Sequence, residues 1–376
     1  MKTSKLLVIL LSSAICYLSS VSLWAAGEPA VFLRGGLGAR ALGMGTAYTA
    51  LADDASSLYW NPAQLAWQEK FELTAMYADL GYDSLYNYAG VVIPLPFASI
   101  GGGYIQQTTG KIEKTDAVGQ SLGETDAKNT AILIGYGQPL GEILSFGVTA
   151  KMINQNIDTF SAKALGFDLG LLLDLEPLRV GVDVQNINSP KLEGNSYWDN
   201  STTVSETIPM TLKVGFAYKY KKVAKMGEVV KTRKKAAAEP VPAPVNAYNS
   251  ANYDVGQGWV PTPPPNQQEV ATGEAPAAAQ GITFNLPVEV NYALDLSYTP
   301  DSAERMGLAP GVEVWLDRIY ALRAGFNWND LEHSHKAYNN LSLGASLKLG
   351  FFQLDYAYII HEDLSNTNRV STTFMF

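Results

Sequence analysis

From Phe71 to the C-terminus the chain is a succession of segments about ten residues long in which apolar residues alternate with polar or small ones, the period of a sheet with two unlike faces. In Leu144 to Met152, Leu144, Phe146, Val148, Ala150 and Met152 fall on one face, and Ser145, Gly147, Thr149 and Lys151 on the other. Leu341 to Leu349 repeats this, as do Met210 to Tyr220, Val288 to Tyr298, Tyr320 to Trp328 and Phe352 to Ile360. Fourteen such segments can be marked, eight in 71–220 and six in 282–376. They predict an all-β fold. A soluble sandwich would alternate as well, so the period alone does not choose.

The composition of the polar face and the spacing of the turns do choose. The polar face carries Lys151, Asp168, Arg179, Asp183, Lys213, Lys219, Glu289, Asp295, Glu313, Arg323, Lys348 and Asp355, charges of both signs among Gly, Ser and Thr. Interleaved charge suits the inside of a laced or plugged barrel better than a wide pore selective for one sign. Short links fall at Pro94 to Pro96, Gln138 to Ile143, Glu176-Pro177, Asp317 to Ile319 and around Gly350. Longer ones are expected at Gln107 to Asp126, Asn154 to Ala162, Ile187 to Glu206, Asn329 to Ala337 and His361 to Asn368. Counted back from a periplasmic C-terminus, every short link lies on the periplasmic side, as in up-and-down outer-membrane barrels. The expected fold is a 14-stranded antiparallel transmembrane β-barrel, with outer-membrane lipid and lipopolysaccharide around it.

Composition agrees. With 47% hydrophobic and only 17% charged residues, and no apolar run of about 18 beyond the N-terminus, any membrane contact must come from strands. Residues 1–26 read as an export signal: Lys2 and Lys5, an apolar stretch from Leu6 to Ile15, then Ala25-Ala26. An uncleaved anchor is disfavoured by Ser19, Ser20 and Ser22. Cys16, the single cysteine, lies within this leader behind a bulky Ile15, which excludes disulfides, thiolate metal sites and thiol nucleophiles from the exported chain. Without Lys2 and Lys5, 25 basic residues face 36 acidic ones, a net −11 that argues against nucleic acid as a partner.

Residues 221–281 break the pattern. They open with Lys221, Lys222, Lys225, Lys231, Arg233, Lys234 and Lys235 and then hold 8 of the 19 prolines, a composition that cannot bury a core. Strand parity puts this insertion in the periplasm, as a linker or as a tether to the cell wall or a periplasmic protein. His333, His335 and His361, near Asp330, Glu332, Glu362 and Asp363, fall in external loops without helical metal spacing, and an acidic surface is the expectation rather than a metal site. Gly36-Leu37-Gly38-Ala39-Arg40-Ala41 approaches a dinucleotide fingerprint but lacks the βαβ context. Gly101-Gly102-Gly103 lies inside a strand pattern, where thin residues admit a plug or a bend. No catalytic order of residues and no cofactor motif stands out, so an enzyme is not expected.

Two stretches carry resemblance. At the C-terminus Val370, Thr372, Phe374 and Phe376 share one face, with Arg369, Ser371 and Thr373 on the other, similar to the signature read by the outer-membrane assembly machinery. Residues 27–70 hold Gly38-Ala39-Arg40, Gly43-Met44-Gly45, Ala52-Asp53-Asp54-Ala55 and Tyr59-Trp60-Asn61-Pro62-Ala63. These resemble the N-terminal hallmark of the FadL-like superfamily, and more closely its PorV/PorQ-like (UPF0164-type) branch. IPMTLKVGFAYKY from Ile208, YALRAGFNW from Tyr320 and the run from Phe352 to Phe376 extend the likeness. The resemblance implies an N-terminal luminal hatch in the barrel. Gly43 and Gly45 would allow close approach to the wall, Asp53 or Asp54 would cap a short helix, and Trp60-Asn61-Pro62 would end it. It also implies one of two functions: a secretion-associated scaffold that engages a secretion-system or periplasmic protein, or a transporter of hydrophobic ligands such as long-chain fatty acids. The hatch could be a moving gate or a static plug.

Overall fold

A computed structural model describes residues 29–116, 118–195, 203–229, 282–300, 306–328, 341–360 and 366–376. The predicted leader with Cys16, most of the Lys and Pro/Ala-rich insertion, and the loops bearing His333, His335 and His361 lie outside the described residues. By contacts the chain divides into one unit of residues 1–222 and 287–376 and a second of 223–286. The first unit is the barrel.

Its strands are β1 (Glu72–Gly81), β2 (Ser84–Leu95), β3 (Ala98–Thr115), β4 (Ser121–Pro139), β5 (Leu144–Ile157), β6 (Phe160–Leu175), β7 (Leu178–Gln185), β10 (Thr211–Val229), β11 (Ile282–Tyr298), β12 (Met306–Leu316), β13 (Tyr320–Phe326), β14 (Leu341–Leu349), β15 (Phe352–Ile359) and β16 (Thr367–Met375). Each pairs antiparallel with the next, and β16 returns to β1 from Glu72↔Met375 to Asp79↔Asn368, so 14 strands close a ring. Closure is what hydrocarbon demands, because an open edge there would leave backbone N–H and C=O groups without partners. The remaining strands, β8 (Lys191–Asn195) and β9 (Thr203–Thr207), form a hairpin attached to the upper end of β6.

Burial runs inside out relative to a soluble protein. Leu343 and Met152 are 48% and 55% exposed, whereas Lys151 and Asp183 are 3% and 0% exposed. The alternation read from sequence therefore has its apolar side outward, toward lipid, and its charged side in the lumen. Turns at one end are short, as between β2 and β3, β6 and β7, or β14 and β15. At this end Phe376 lies 6.0 Å from Phe71 and 6.2 Å from Phe351, and Phe352 lies 5.3 Å from Phe374, a piece of the aromatic girdle expected at a membrane interface. Val370, Thr372, Phe374 and Phe376 point outward from β16, and Arg369, Ser371 and Thr373 point inward.

Three expected loops are corrected. Gln107 to Asp126 is a ladder, from Gln107↔Asn129 to Thr115↔Ser121, and Asn154 to Ala162 is paired strand up to a turn at Asp158-Thr159. Ile187 to Glu206 holds β8 and most of β9. Above the bilayer both faces of a hairpin meet water, so alternation fades while main-chain pairing continues. Likewise β10 continues through Lys221–Val229, residues assigned from composition to the unstructured insertion.

Residues 29–70 pack inside the ring. They form short 3-10 turns at Val31–Gly35 and Pro62–Trp67 and two one-turn helices, α1 (Ala39–Gly43) and α2 (Ser57–Trp60). Leu37, Met44, Leu51, Leu58 and Leu65 are fully buried among them. An arginine placed at Leu343, on the lipid face of β14, is expected to cost about 2–4 kcal/mol near the bilayer midplane. Urea unfolding of Leu343→Arg in vesicles measures this, and a loss below about 1 kcal/mol would show that the face does not meet hydrocarbon.

Candidate functional site

Helix α1 is five residues long, too short to persist alone, and it stands because the barrel supplies its partners. Arg40, on α1, reaches across the lumen to β12. Its Nε donates to Glu313 Oε1 at 2.8 Å and its second terminal nitrogen to Glu313 Oε2 at 3.0 Å, a forked pair with Arg40 and Glu313 both buried. The same carboxylate accepts Arg323 Nε at 2.6 Å and Asn291 Nδ2 at 2.8 Å. Arg323 lies 3.5 Å from Asp355 and also donates to Ser346, which donates to Asp355. The Trp315 ring has the Arg40 guanidinium 5.7 Å from its centre and that of Arg323 5.4 Å away. One buried carboxylate thus holds two guanidinium groups over an indole, and Asp53 takes another Arg40 nitrogen.

The rest of the segment is fixed in the same way, main chain to inward side chain. Asp295 on β11 accepts the N–H groups of Tyr48 and Thr49 at 3.0 and 2.8 Å. Ser371 on β16 accepts from Ala39 N–H at 3.0 Å, and Glu72 on β1 from Ala55 N–H at 2.8 Å. Tyr88 on β2 and Ser145 on β5 donate to the carbonyls of Ala55 and Ala63, and Gln185 on β7 donates to that of Tyr59. Lys213 on β10 rests its ammonium 5.1 and 5.0 Å from the Tyr59 and Trp60 ring centres.

Sequence-predicted positions divide by role. Gly43 comes against Gly344 of β14, where an added Cβ would lie 3.0 Å from the Gly344 Cα. Gly45, at φ +66, meets Phe326, and a Cβ on its neighbour Gly325 would lie 1.9 Å from the Met44 carbonyl carbon, so only bare backbone fits. Asp54 closes the turn ahead of α2 by accepting Ser56 N–H at 2.8 Å, but no side chain caps the helix itself, whose N-cap residue is Ser56. Asp53 does not cap; it pairs with Arg40, because its half-exposed carboxylate is the nearest counter-charge to a buried guanidinium. Trp60 donates from its indole to the Leu37 carbonyl at 2.8 Å and meets Tyr59 edge-on at 4.9 Å. Asn61 ends α2 in extended geometry, accepts Ala63 N–H at 3.0 Å, and donates to the carbonyls of Thr49 and of Leu171 on β6. Pro62 opens the following 3-10 turn, where its missing N–H is harmless. Of Gly101-Gly102-Gly103, Gly101 and Gly103 face Leu58, confirming thin wall against the plug.

Two neighbouring carboxyls, the half-exposed Asp53 and the buried Asp54, shift in opposite directions. Burial pushes Asp53 up, but the Arg40 guanidinium together with the Lys219 and Lys348 ammonium groups outweighs this, and its net shift is downward. Asp54 is raised to about 6, first by burial and then by the Asp53 charge, against the bonds from Ser56.

At the external end, beside this segment, lies a cavity of about 140 Å³. Tyr59, Trp60, Lys213, Asn186, Ile208 and Thr299 are among its walls, a mixed polar and aromatic lining. Among the described residues no group of three or more His, Cys, Asp or Glu could hold a metal ion.

The fold of this chain recurs in solved structures. The toluene transporter TodX of P. putida matches with a TM-score of 0.51 at 11% identity, over 91% of this chain and 99% of that one. The CymD monoaromatic hydrocarbon channel matches with a TM-score of 0.50 at 13% identity, over 93% and 99%. The chain is an outer-membrane β-barrel with the fold of these channels. At such identities the likeness is one of architecture. No family model and no curated protein sequence matches the chain.

Sequence reasoning placed Glu313, Arg323 and Asp295 on the luminal face without partners, and missed Tyr48, Asn291 and Trp315. One available signal was the hairpin register: a turn centred on Arg318 sets Glu313 opposite Arg323.

Replacing Arg40 by Met should destabilise docking of residues 29–70 by about 3–5 kcal/mol, because it strips a buried charge network of one partner. Protease cleavage within 29–70, in a barrel that otherwise stays folded, measures this. Acid should act through Asp54: a raised carboxyl contributes stability fully present below about pH 4 and lost as pH rises through about 6. Amide protection at Ser56 and Ser57, corrected for intrinsic exchange, is expected to rise between pH 7 and 5 in the native protein and to stay flat in Asp54→Asn.

Proposed function

We propose that this barrel is an export-associated scaffold of the PorV-like kind, a non-enzymatic platform that docks a secretion component or holds an exported protein at the cell surface. The observation that carries the reading is the occupied lumen: every strand of the ring touches residues 29–70, and a buried ion network pins them from the β12–β15 side.

The external wall supports the same reading. The β1–β2 turn ends at Tyr82-Asp83, level with Thr109, and beyond it β3 and β4 rise about 20 Å as a paired hairpin. Lys111 pairs with Asp83 at 3.2 Å and Lys114 with Asp158 at 2.6 Å, lacing neighbouring tips together. Val118 and Leu122 are 80% and 64% exposed near the hairpin's end. Such a raised hairpin is suited to holding a protein.

A second reading, transport of small hydrophobic molecules, is favoured by the external cavity and by the architecture shared with a toluene transporter and a monoaromatic hydrocarbon channel. In it the segment 29–70 moves as a gate. Lipid, lipopolysaccharide and the assembly machinery that reads Val370, Thr372, Phe374 and Phe376 are partners under either reading.

Affinity purification from detergent-solubilised outer membrane separates the two. The scaffold reading expects a stoichiometric protein partner whose recovery falls at least about tenfold when residues 110–124 are replaced by a short turn, with the barrel still folded. Bound hydrophobic molecules and no protein partner would overturn it in favour of transport.

A further inference from the structure

The sheet continues past the closed ring. β8 pairs with β6 at Ala162↔Gly194 and Lys163↔Glu193, β9 pairs with β8 from Lys191↔Thr207 to Asn195↔Thr203, and the order of strands stops at β9. Pairing phase fixes which backbone groups remain open. Ile208 N–H donates to the Pro190 carbonyl at 2.8 Å, so 208 and 190 form a hydrogen-bonded pair. Such pairs alternate along an antiparallel ladder, which assigns Glu206↔Leu192 and Val204↔Gly194 to the bonded class. The N–H and C=O groups of Thr203, Ser205 and Thr207 therefore point away from β8, to the free edge. The same phase turns the main chain of Glu193 toward β6, where Lys163 lies opposite it.

Among the described residues no strand pairs with this edge. Val204, Ser205, Glu206 and Thr207 are all exposed, on both faces of the strand, whereas the adjoining Ile208 and Pro209 are buried and line the cavity at the barrel mouth. Exposed edges are ordinarily blunted by lysine, proline or a bulge. No lysine, proline or bulge occurs within Thr203–Thr207, whose sequence of Thr, Val, Ser, Glu and Thr favours strand; its five-residue length and one charge, Glu206, are all that limit pairing there. Lipid has no donors and acceptors in register to satisfy such an edge, but an extended polypeptide has them every second residue.

We propose that β9 is a strand-addition site, which takes an extended segment of a second polypeptide at the cell surface, uncharged or basic at the residue facing Glu206. The inference deepens the docking reading above by naming where the docked chain is held. Main-chain bonds to Thr203, Ser205 and Thr207 supply the attachment, and Glu206 supplies the preference.

Ser205→Pro provides the test, since the lost N–H is one that β8 does not use and the hairpin survives; Val204→Pro, which removes a bonded N–H, is the control for hairpin disruption. Signal-free full-length protein in lipid nanodiscs is titrated with alternating Thr/Val decapeptides bearing a central lysine, a central glutamate, or proline at alternate positions. Amide exchange and fluorescence anisotropy are read together. The lysine peptide is expected to slow exchange at Ser205 and Thr207, to bind at least about tenfold more weakly to Ser205→Pro, about 1.4 kcal/mol, and to lose its advantage over the glutamate peptide in Glu206→Lys. Equal binding to Ser205→Pro, or slow exchange at Ser205 and Thr207 before any peptide is added, would overturn the proposal. So would protection that appears on concentrating the protein alone, which would make the occupant a second copy. Recovery of a cellular partner by Ser205→Pro protein as efficiently as by the native chain would leave the scaffold reading standing and remove only the edge from it. Peptide binding with no cellular partner would do the reverse.

Discussion

Hydrocarbon cannot satisfy a peptide group, and the rest of this molecule follows from that. The sheet must close, so β16 returns to β1; its outer face must be largely apolar, so charged side chains such as Lys151, Asp168, Asp183, Glu313, Arg323 and Asp355 are driven inward. A ring of 14 strands then encloses a space too wide for its own side chains to fill. Residues 29–70 fill it, and the lumen's charges, costly if left in a dry interior, become the groups that hold them.

The Arg40 network shows how the two demands are met together. Glu313 faces inward because Val312 and Val314 on either side of it belong to the other face of β12. Paired only with Arg323, it would leave acceptor capacity unused in a low-dielectric lumen. Arg40 completes the set from the segment's side, while Gly43, Gly45, Gly325 and Gly344 remove the side chains that would keep α1 from the wall. Small residues set the distance and charged residues set the position. The same division holds around the ring, where Asp295, Ser371 and Glu72 take main-chain N–H groups that a five-residue helix and its turns cannot satisfy among themselves.

Above the membrane the constraint relaxes and the chain behaves differently. The β3–β4 and β8–β9 hairpins keep main-chain pairing without a buried face, so their residues need not alternate, and an edge strand can stand open to water. That is why reading by period stops at the bilayer surface. Gln107 to Asp126 resembles a loop in composition and is a ladder in structure. Recognition is also most readily housed there, since the lumen is committed to holding its own segment.

The order of residues by itself determined the number of barrel strands, which face of each meets lipid, and the aromatic face of the last strand, because each is a consequence of period two in a bilayer. It also determined that Gly43, Gly45, Asn61 and Pro62 do backbone work, since few other residues suit a close approach or a helix stop. Only the tertiary structure decided that Asp53 neutralises Arg40 while Asp54 closes the turn before α2, that Glu313 binds two arginines, and that β9 ends in an open edge. Adjacent aspartates are alike in sequence, and a strand's free side is invisible until its neighbours are placed. Those outcomes depend on distances across the lumen, set by residues up to 334 positions apart, as Gly35 and Arg369 are.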